Sequence, residues 1–172
     1  LRFVAGEFKE VSSIVSTQVD QWYETDTKQM LDVTSPDNII VSGRLANGAV
    51  VSAHVASNPW AGSGYRMEVY GRKGTLVATS EDSPQLGEVY LAGAQGTDDL
   101  ADVAVPDKHT NVLEGMPKGP PKNVGQLYFQ FGAGIRGQQS SFPDFDTAVE
   151  LHRLVDHIRQ ASDEGRAVGT AS

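Results

Sequence analysis

Apolar and polar positions alternate with a period of two along much of the first two-thirds of the chain. Val11, Val15, Thr17 and Val19 alternate with polar residues, which is the pattern of a half-buried β-strand. Two further pairs of β-branched runs are each separated by a turn that contains glycine. The pattern therefore predicts antiparallel hairpins in this part of the chain.

The clearest hairpin joins residues 39–45 to residues 49–55 through Ala46-Asn47-Gly48. Asn-Gly favours a two-residue turn in which both turn residues have positive φ. That turn would place Ile39, Val41 and Leu45 on one face, and Ile40 with Val51 and Val55 on the other. A sheet that is apolar on both faces indicates that a partner domain or subunit covers the second face.

A second hairpin is predicted from residues 65–70 to residues 75–79, across a turn of sequence Gly-Arg-Lys-Gly. Residues 22–35 are polar and irregular, and we expect no strand there. Weaker patterns predict one strand over residues 86–91 and a short one at Val103. The residues after Ala167 have the composition of a frayed tail.

The apolar spacing becomes helical in the last third of the chain. Residues 123–131 and 144–162 are predicted helices, and the proline-rich segment 116–121 before them is predicted to exclude helix. Thr147 and Glu150 have the spacing of a capping box, and Gly165 marks the end of the second helix. Ala148, Leu151, Val155 and Ile158 would form its apolar face, with Leu154 beside it.

This order of elements, strands first and helices last, predicts an α+β fold with a mostly antiparallel, open-faced sheet and helices packed on one face. The length of 172 residues suits one domain, spanning residues 1–172. Residues 1–6 resemble the last turn of a helix closed by Gly6, so we expect the chain to be part of a longer one.

The charge balance narrows the classes of partner. The chain has 14 basic and 22 acidic residues, a formal charge of -8, which disfavours nucleic acid and anionic membranes. It has no cysteine and no apolar run long enough to cross a bilayer. These features are compatible with a cytoplasmic protein.

Three residues are candidates for lining a pocket for a small molecule: His54, Trp60 and Tyr65. The predicted Asn-Gly turn places His54 mid-strand, on the same face as Ile39 and Val41. A hydrogen-bonded core histidine is an equally good interpretation. Trp60 and Tyr65 belong to a loop after a strand, where aromatic rings either stack on a sugar or cap the end of the sheet.

No catalytic or metal-binding set emerges from the remaining residues. Residues 132–137 match the dinucleotide-binding pattern G-x-G-x-x-G. The flanking sequence, however, predicts neither the strand before the motif nor the helix after it that dinucleotide binding requires. We interpret it as a loop between helices. His152 and His157 are five residues apart and do not share a helix face.

Three segments in order resemble the C-terminal domain of the Gfo/Idh/MocA oxidoreductase family. They are the hairpin of residues 35–52, the strand-turn-strand unit of residues 65–76, and the closing helix of residues 142–158 with Gly165-Arg166 after it. The likeness covers nearly the whole chain.

The resemblance implies an NAD(P)-dependent enzyme that acts on a sugar, a cyclitol or a related polyol or carbonyl compound. An upstream Rossmann domain would bind NAD or NADP and carry the catalytic lysine, and the family's catalytic Asp and His would precede Leu1. No catalytic or cofactor residue maps onto this chain, which we expect to be inactive alone. Its implied contributions are one wall of the substrate pocket and the open sheet face, through which we expect a homo-oligomer to form.

Two alternatives remain at this point. The Ser35-Pro36-Asp37 segment and the Leu-Ala-Asn-Gly turn are also similar to a non-enzymatic branch of the family, the galactose-regulon repressor, which works as a dinucleotide-sensing regulator. The chain could also be an independent binding module. The upstream sequence would distinguish the enzyme from the regulator.

Overall fold

The computed structural model describes residues 1–57, 61–138 and 140–170. These residues divide into two compact units, one formed by Leu1–Trp60 with Pro143–Ser172 and the other by Ala61–Phe142. In chain order the elements are α1 (Arg2–Ala5), β1 (Phe8–Ser16), β2 (Gln21–Glu24), β3 (Gln29–Asp32), β4 (Asn38–Leu45), β5 (Val50–Ala56), β6 (Tyr65–Gly71), β7 (Gly74–Ser80), β8 (Tyr90–Gln95), β9 (Ala101–Asp102), α2 (Pro120–Ile135), α3 (Phe145–Glu164) and β10 (Val168–Gly169), with a 3-10 turn at Asp107–His109.

The first unit is an antiparallel sheet in the order β10-β1-β4-β5, with α3 packed on one face. Val11, Val41, Ala161 and Val168 form the buried centre of this packing. Phe8, Ile39, Leu154 and Ile158 pack around them. The opposite face exposes Ile14, Ile40 and Val50, so the sheet is open on that side as predicted.

The helix α3 begins one turn earlier than the predicted capping box. Its N-cap is Asp144, whose carboxylate accepts hydrogen bonds from the backbone nitrogen and the hydroxyl of Thr147. Thr147 is therefore inside the helix. The predicted end is confirmed, because Gly165 has the left-handed conformation that closes many helices.

The predicted apolar face of α3 is only partly the buried one. Leu154, Ile158 and Ala161 face the sheet, whereas Leu151 and Val155 are about half exposed. The helix is thus apolar on two sides. One side forms the core of its unit, and the other remains open to solvent.

The β4–β5 hairpin forms as predicted, but its turn differs. Gly48 has positive φ and Asn47 does not, and the backbone nitrogen of Gly48 donates to the carbonyl of Leu45. The turn is therefore a three-residue turn with a glycine bulge, and the extra residue shifts the pairing by one position. His54 lies opposite Ile40, so its predicted place beside Ile39 and Val41 is wrong.

The same shift changes the faces of the other β5 residues. Val51 and Val55 lie opposite Gly43 and Ile39, and thus on the α3 face of the sheet. The prediction that they share a face with Ile40 is wrong. The residues that share the open face with Ile40 are Val50 and His54.

The chain's last described segment pairs with the first strand. Val168 lies opposite Val11 and is buried, so this segment is a strand and not a frayed tail. The hydroxyl of Thr170 also donates to the carbonyl of Phe8. The apolar Val168 between small and polar residues was the signal for this strand.

The second unit contains an antiparallel sheet in the order β6-β7-β8-β9. The predicted hairpin around Arg72 and Lys73 is confirmed. The strand expected over residues 86–91 begins later, at Tyr90, and the one expected at Val103 is formed by Ala101 and Asp102.

The helix α2 includes the predicted residues 123–131 but starts inside the proline-rich segment. Pro120 and Pro121 occupy its first turn, where a missing N–H costs nothing, so the segment does not exclude helix throughout. Asn123 donates to the carbonyls of Pro84 and Gln85. These bonds hold α2 to loops of its unit.

Antiparallel sheets with a few helices confirm the α+β class. The described strands form two four-stranded sheets and one two-stranded hairpin, β2–β3. Among the described residues, no helix has both the length and the apolar character needed to span a lipid bilayer.

Candidate functional site

Three strands of the first unit have neighbouring termini at one end of the sheet. Ser16 at the end of β1, Asn38 at the start of β4 and Ala56 at the end of β5 are neighbours across the sheet. The connection from β1 to β4 and the chain that leaves β5 at Ser57 therefore start from the same end of the sheet. Loops that emerge together from a rigid sheet are a common place for binding residues.

Asp37 lies at the centre of this end and is buried, with 6% of its surface exposed. Its carboxylate accepts hydrogen bonds from the backbone nitrogens of Gln18, at 2.9 and 3.0 Å, and Val19, at 2.8 Å. Its carbonyl accepts one from the nitrogen of Ser57 at 2.9 Å. One residue thus fixes the base of both connections.

The hydrogen bonds around Asp37 also set its charge. Burial of the carboxyl favours its neutral form, but the donors from Gln18, Asn38 and Val19 outweigh burial, so the pKa of Asp37 lies below its ordinary value of 3.8. Asp37 is consequently an anion at neutral pH. Its carboxylate anchors the backbone nitrogens of Gln18 and Val19.

His54 joins the same network through Asn38. The amide nitrogen of Asn38 donates to Asp37 at 3.1 Å, which turns the amide oxygen of Asn38 toward His54. The oxygen lies 3.2 Å from Nε2 of His54. Because an amide oxygen only accepts, Nε2 carries the hydrogen and Nδ1 is left as an acceptor in the neutral ring. His54 is exposed, so it is not a core histidine.

Tyr65 belongs to the other compact unit and starts β6. It is half-buried, and its hydroxyl donates a weak bond to the sulfur of Met67 at 3.2 Å. Gly64, before it, has positive φ, and a Cβ there would lie 2.2 Å from the carbonyl of Ser80. Trp60 lies outside the described residues. His54 and Tyr65 remain pocket candidates, each in its own unit.

The β2–β3 hairpin is a feature of this end that the sequence analysis missed. Trp22 pairs with Leu31 and Tyr23 pairs with Met30, across a turn in which Lys28 has positive φ. The signal was two short segments, each with an apolar pair between polar residues, flanking a polar turn. All four apolar side chains of the hairpin are substantially exposed.

A groove of about 890 Å³ lies on the sheet of the second unit. Val69, Leu76 and Val103 line its floor, and a Cβ on Gly93 would lie 3.1 Å from both Leu76 and Val103. Gly93 therefore leaves space for these side chains. The rim of the groove carries Arg72 and Lys73 as well as Asp98 and Asp99.

A smaller pocket of about 430 Å³ in the first unit is lined by charged groups that neutralise each other. Arg2 pairs with Glu7, and Arg153 pairs with Glu150. The charges of these four lining residues therefore balance.

The glycine segment Gly132–Gly137 is not a simple loop, because Gly132 and Gly134 lie in the last turns of α2. A phosphate-binding loop needs the N-terminus of a helix, where N–H groups point outward. The predicted loop between helices is therefore wrong for its first residues.

The comparisons with known proteins agree with this architecture. The family model described as "Oxidoreductase family, C-terminal alpha/beta domain" matches residues 1–170. A comparison with curated protein sequences found no match.

Several solved structures share the fold. Levoglucosan dehydrogenase in complex with NADH and levoglucosan is similar at TM-score 0.80 and 21% identity, over 99% of this chain and 47% of that chain. The super-repressor mutant of Gal80p from Saccharomyces cerevisiae is similar at TM-score 0.75 and 16% identity, over 96% and 45%.

The aldose-aldose oxidoreductase from Caulobacter crescentus, complexed with glycerol, is similar at TM-score 0.65 and 20% identity, over 98% of this chain and 43% of that chain. This chain thus spans about half the length of these proteins. The match of the family model to nearly every residue establishes that the chain belongs to the Gfo/Idh/MocA oxidoreductase family, as its C-terminal α/β domain.

Proposed function

We propose that the complete protein is an NAD(P)-dependent oxidoreductase that acts on a sugar, a cyclitol or a related polyol or carbonyl compound. The observation that carries this proposal is the likeness of almost the whole chain to under half of levoglucosan dehydrogenase, in a structure that contains NADH and levoglucosan. In the proposal, a Rossmann domain upstream binds the dinucleotide and performs the hydride transfer. This chain supplies part of the substrate pocket.

Exposed apolar side chains support a partner for the first unit. Phe3 on α1 and Phe145, Leu151 and Val155 on α3 are largely or half exposed. Exposed apolar surface of this extent marks contact surfaces in soluble proteins. We assign these helix faces to contact with the proposed Rossmann domain.

His54, Trp60 and Tyr65 are each proposed, separately, as a residue that lines a substrate pocket. His54 is held by Asn38 with one ring nitrogen left to accept a hydrogen bond. An oriented, exposed imidazole suits a ligand that carries hydroxyl groups. The two aromatic residues would supply ring faces for the apolar side of the ligand.

The groove of the second unit supports a homo-oligomer. A two-fold contact places the same patch of both copies face to face, so the patch must be complementary to itself. An apolar floor with cations and anions on one rim meets this requirement, because Arg72 and Lys73 of one copy can face Asp98 and Asp99 of another. We assign the groove to contact between copies of this chain.

A dinucleotide-sensing regulator is the alternative function. The similarity to Gal80p favours it, because that neighbour is a repressor and resembles the chain nearly as well as the dehydrogenase does. Both functions require a dinucleotide, and only the enzyme also requires turnover.

The test is an assay of the full-length protein with NAD⁺ and NADP⁺ against a panel of sugars, cyclitols and polyols. We expect reduced dinucleotide to form with at least one of them. Dinucleotide binding without turnover on any member of the panel would favour the regulator. Turnover that this chain supports without the upstream region would contradict the proposed division of roles.

A further inference from the structure

The β2–β3 hairpin presents the same classes of side chain on its two faces. The register places Trp22, Glu24, Gln29 and Leu31 on one face. Gln21, Tyr23, Met30 and Asp32 are on the other. Each face therefore has one aromatic ring, one aliphatic side chain, one amide and one carboxylate.

The polar groups of the two faces differ in how they are used. On the Tyr23 face the amide of Gln21 donates to the carboxylate of Asp32 at 2.8 Å, so the two groups satisfy each other. On the Trp22 face, one carboxylate oxygen of Glu24 accepts from the hydroxyl of Thr27. Within the described residues, the other oxygen of Glu24 and the amide of Gln29 have no hydrogen-bond partner.

The Asp37 network anchors the chain just before Trp22. Val19, whose nitrogen is bound to the Asp37 carboxylate, precedes Trp22 by three residues. Three residues span at most about 10 Å. Trp22 therefore lies within about 10 Å of the anchored Val19, near the sheet end where Ser57 also bonds to Asp37.

We propose that the Trp22 face is a stacking platform for a sugar ring, with Glu24 and Gln29 bonding to its hydroxyls. Trp22 is 45% exposed, and its indole ring is a flat apolar surface. An acceptor and an amide beside the ring match a neutral, hydroxylated ligand, while Glu24 and the nearby Asp26 repel anions. The inference rests on the proposed sugar chemistry and adds residues that the family resemblance did not supply.

The test measures binding of levoglucosan and glucose to the full-length protein by ligand-observed NMR, with the dinucleotide present. Trp22→Ala should weaken binding about tenfold, and Trp22→Phe should recover part of it. The matched control is Tyr23→Ala, which removes the aromatic ring of the opposite face, 57% exposed. It should leave sugar binding unchanged.

The outcomes separate this proposal from the function on which it rests. Selective loss of sugar binding in Trp22→Ala supports the platform. If the protein binds the sugar but does not turn it over, the same loss still supports the platform, whereas the proposed enzyme activity is contradicted. Equal binding in all variants overturns the platform, as does the absence of sugar binding to the unmodified protein. Loss of oligomer mass in both alanine variants also overturns it, because the hairpin would then be a protein contact.

Discussion

Both carboxylate oxygens of Asp37 lie within 3.0 Å of the backbone nitrogen of Gln18. A side chain that follows Gln18 by nineteen residues thus fixes the segment that leads into the β2–β3 hairpin. The same residue holds Ser57 through its carbonyl. One buried anion therefore holds both segments at this end of the sheet.

Asp37→Asn should loosen this anchor without changing its size. An amide accepts more weakly than a carboxylate and brings donors into a site full of donors. We expect faster hydrogen exchange at the amides of Gln18 and Val19, with little change at Val41 in the centre of the sheet. Unchanged exchange at both loop amides would contradict the anchoring role.

Comparison with the same variant should reveal the charge of Asp37 through the pH dependence of the free energy of unfolding. Because the pKa of folded Asp37 is below 3.8, its contribution to stability is fully present above that value and is lost as pH falls through the folded pKa. The difference in free energy of unfolding between the protein and Asp37→Asn should be constant near about pH 7 and shrink below about pH 4. A difference that grows on acidification would contradict the assigned direction.

The packing of α3 on the sheet predicts the effect of a matched pair of substitutions. Val11 is 0% exposed and Val50 is 77% exposed. Val11→Ala should lower the free energy of unfolding by about 2 to 3 kcal/mol through lost burial and a cavity. Val50→Ala should change it by under about 0.5 kcal/mol. Urea unfolding at low protein concentration measures both, and similar losses in the two variants would place the core elsewhere.

The groove predicts which face joins copies of the chain. Leu76→Asp puts a charge on its floor and should raise the dissociation constant of the oligomer at least about tenfold, because the charge would be buried without a partner. Tyr90→Asp on the opposite face of the same sheet is the control and should keep the native mass. Light scattering across concentrations measures this. A monomeric native protein, or an intact oligomer in Leu76→Asp, would rule out the groove as the interface.

Some features could be predicted from the sequence because they depend on local rules. Period-two alternation predicted the β4–β5 and β6–β7 hairpins, and helical spacing with Gly165 predicted α3. The predicted faces of β5 were wrong because a single extra turn residue moves every β5 side chain to the other face of the sheet. The sequence Ala46-Asn47-Gly48 is compatible with both the two-residue turn and the three-residue turn.

The anchoring role of Asp37 could not be predicted from the sequence. Its hydrogen bonds join residues 18, 19, 37 and 57, and contacts over such separations leave no periodic trace. The short hairpin β2–β3 was missed for a related reason, since four-residue strands give too few positions to reveal a period.

Trp60, in the loop predicted to wall the pocket, can be tested in the complete protein if it has the proposed activity. Trp60→Ala should raise the KM for the sugar about fivefold to tenfold through lost stacking, with the KM for the dinucleotide unchanged. Tyr128→Ala, an exposed aromatic residue of α2, is the control. Unchanged sugar kinetics in Trp60→Ala would remove this residue from the pocket.

The central claim is that this chain is the domain of an NAD(P)-dependent oxidoreductase that does not itself hold the dinucleotide. Calorimetric titration of NADH and NADPH into the full-length protein and into residues 1–172, with folding of both checked by circular dichroism, tests it most directly. We predict binding by the full-length protein and none by residues 1–172. Binding to residues 1–172 at micromolar strength, about -8 kcal/mol, would contradict the account.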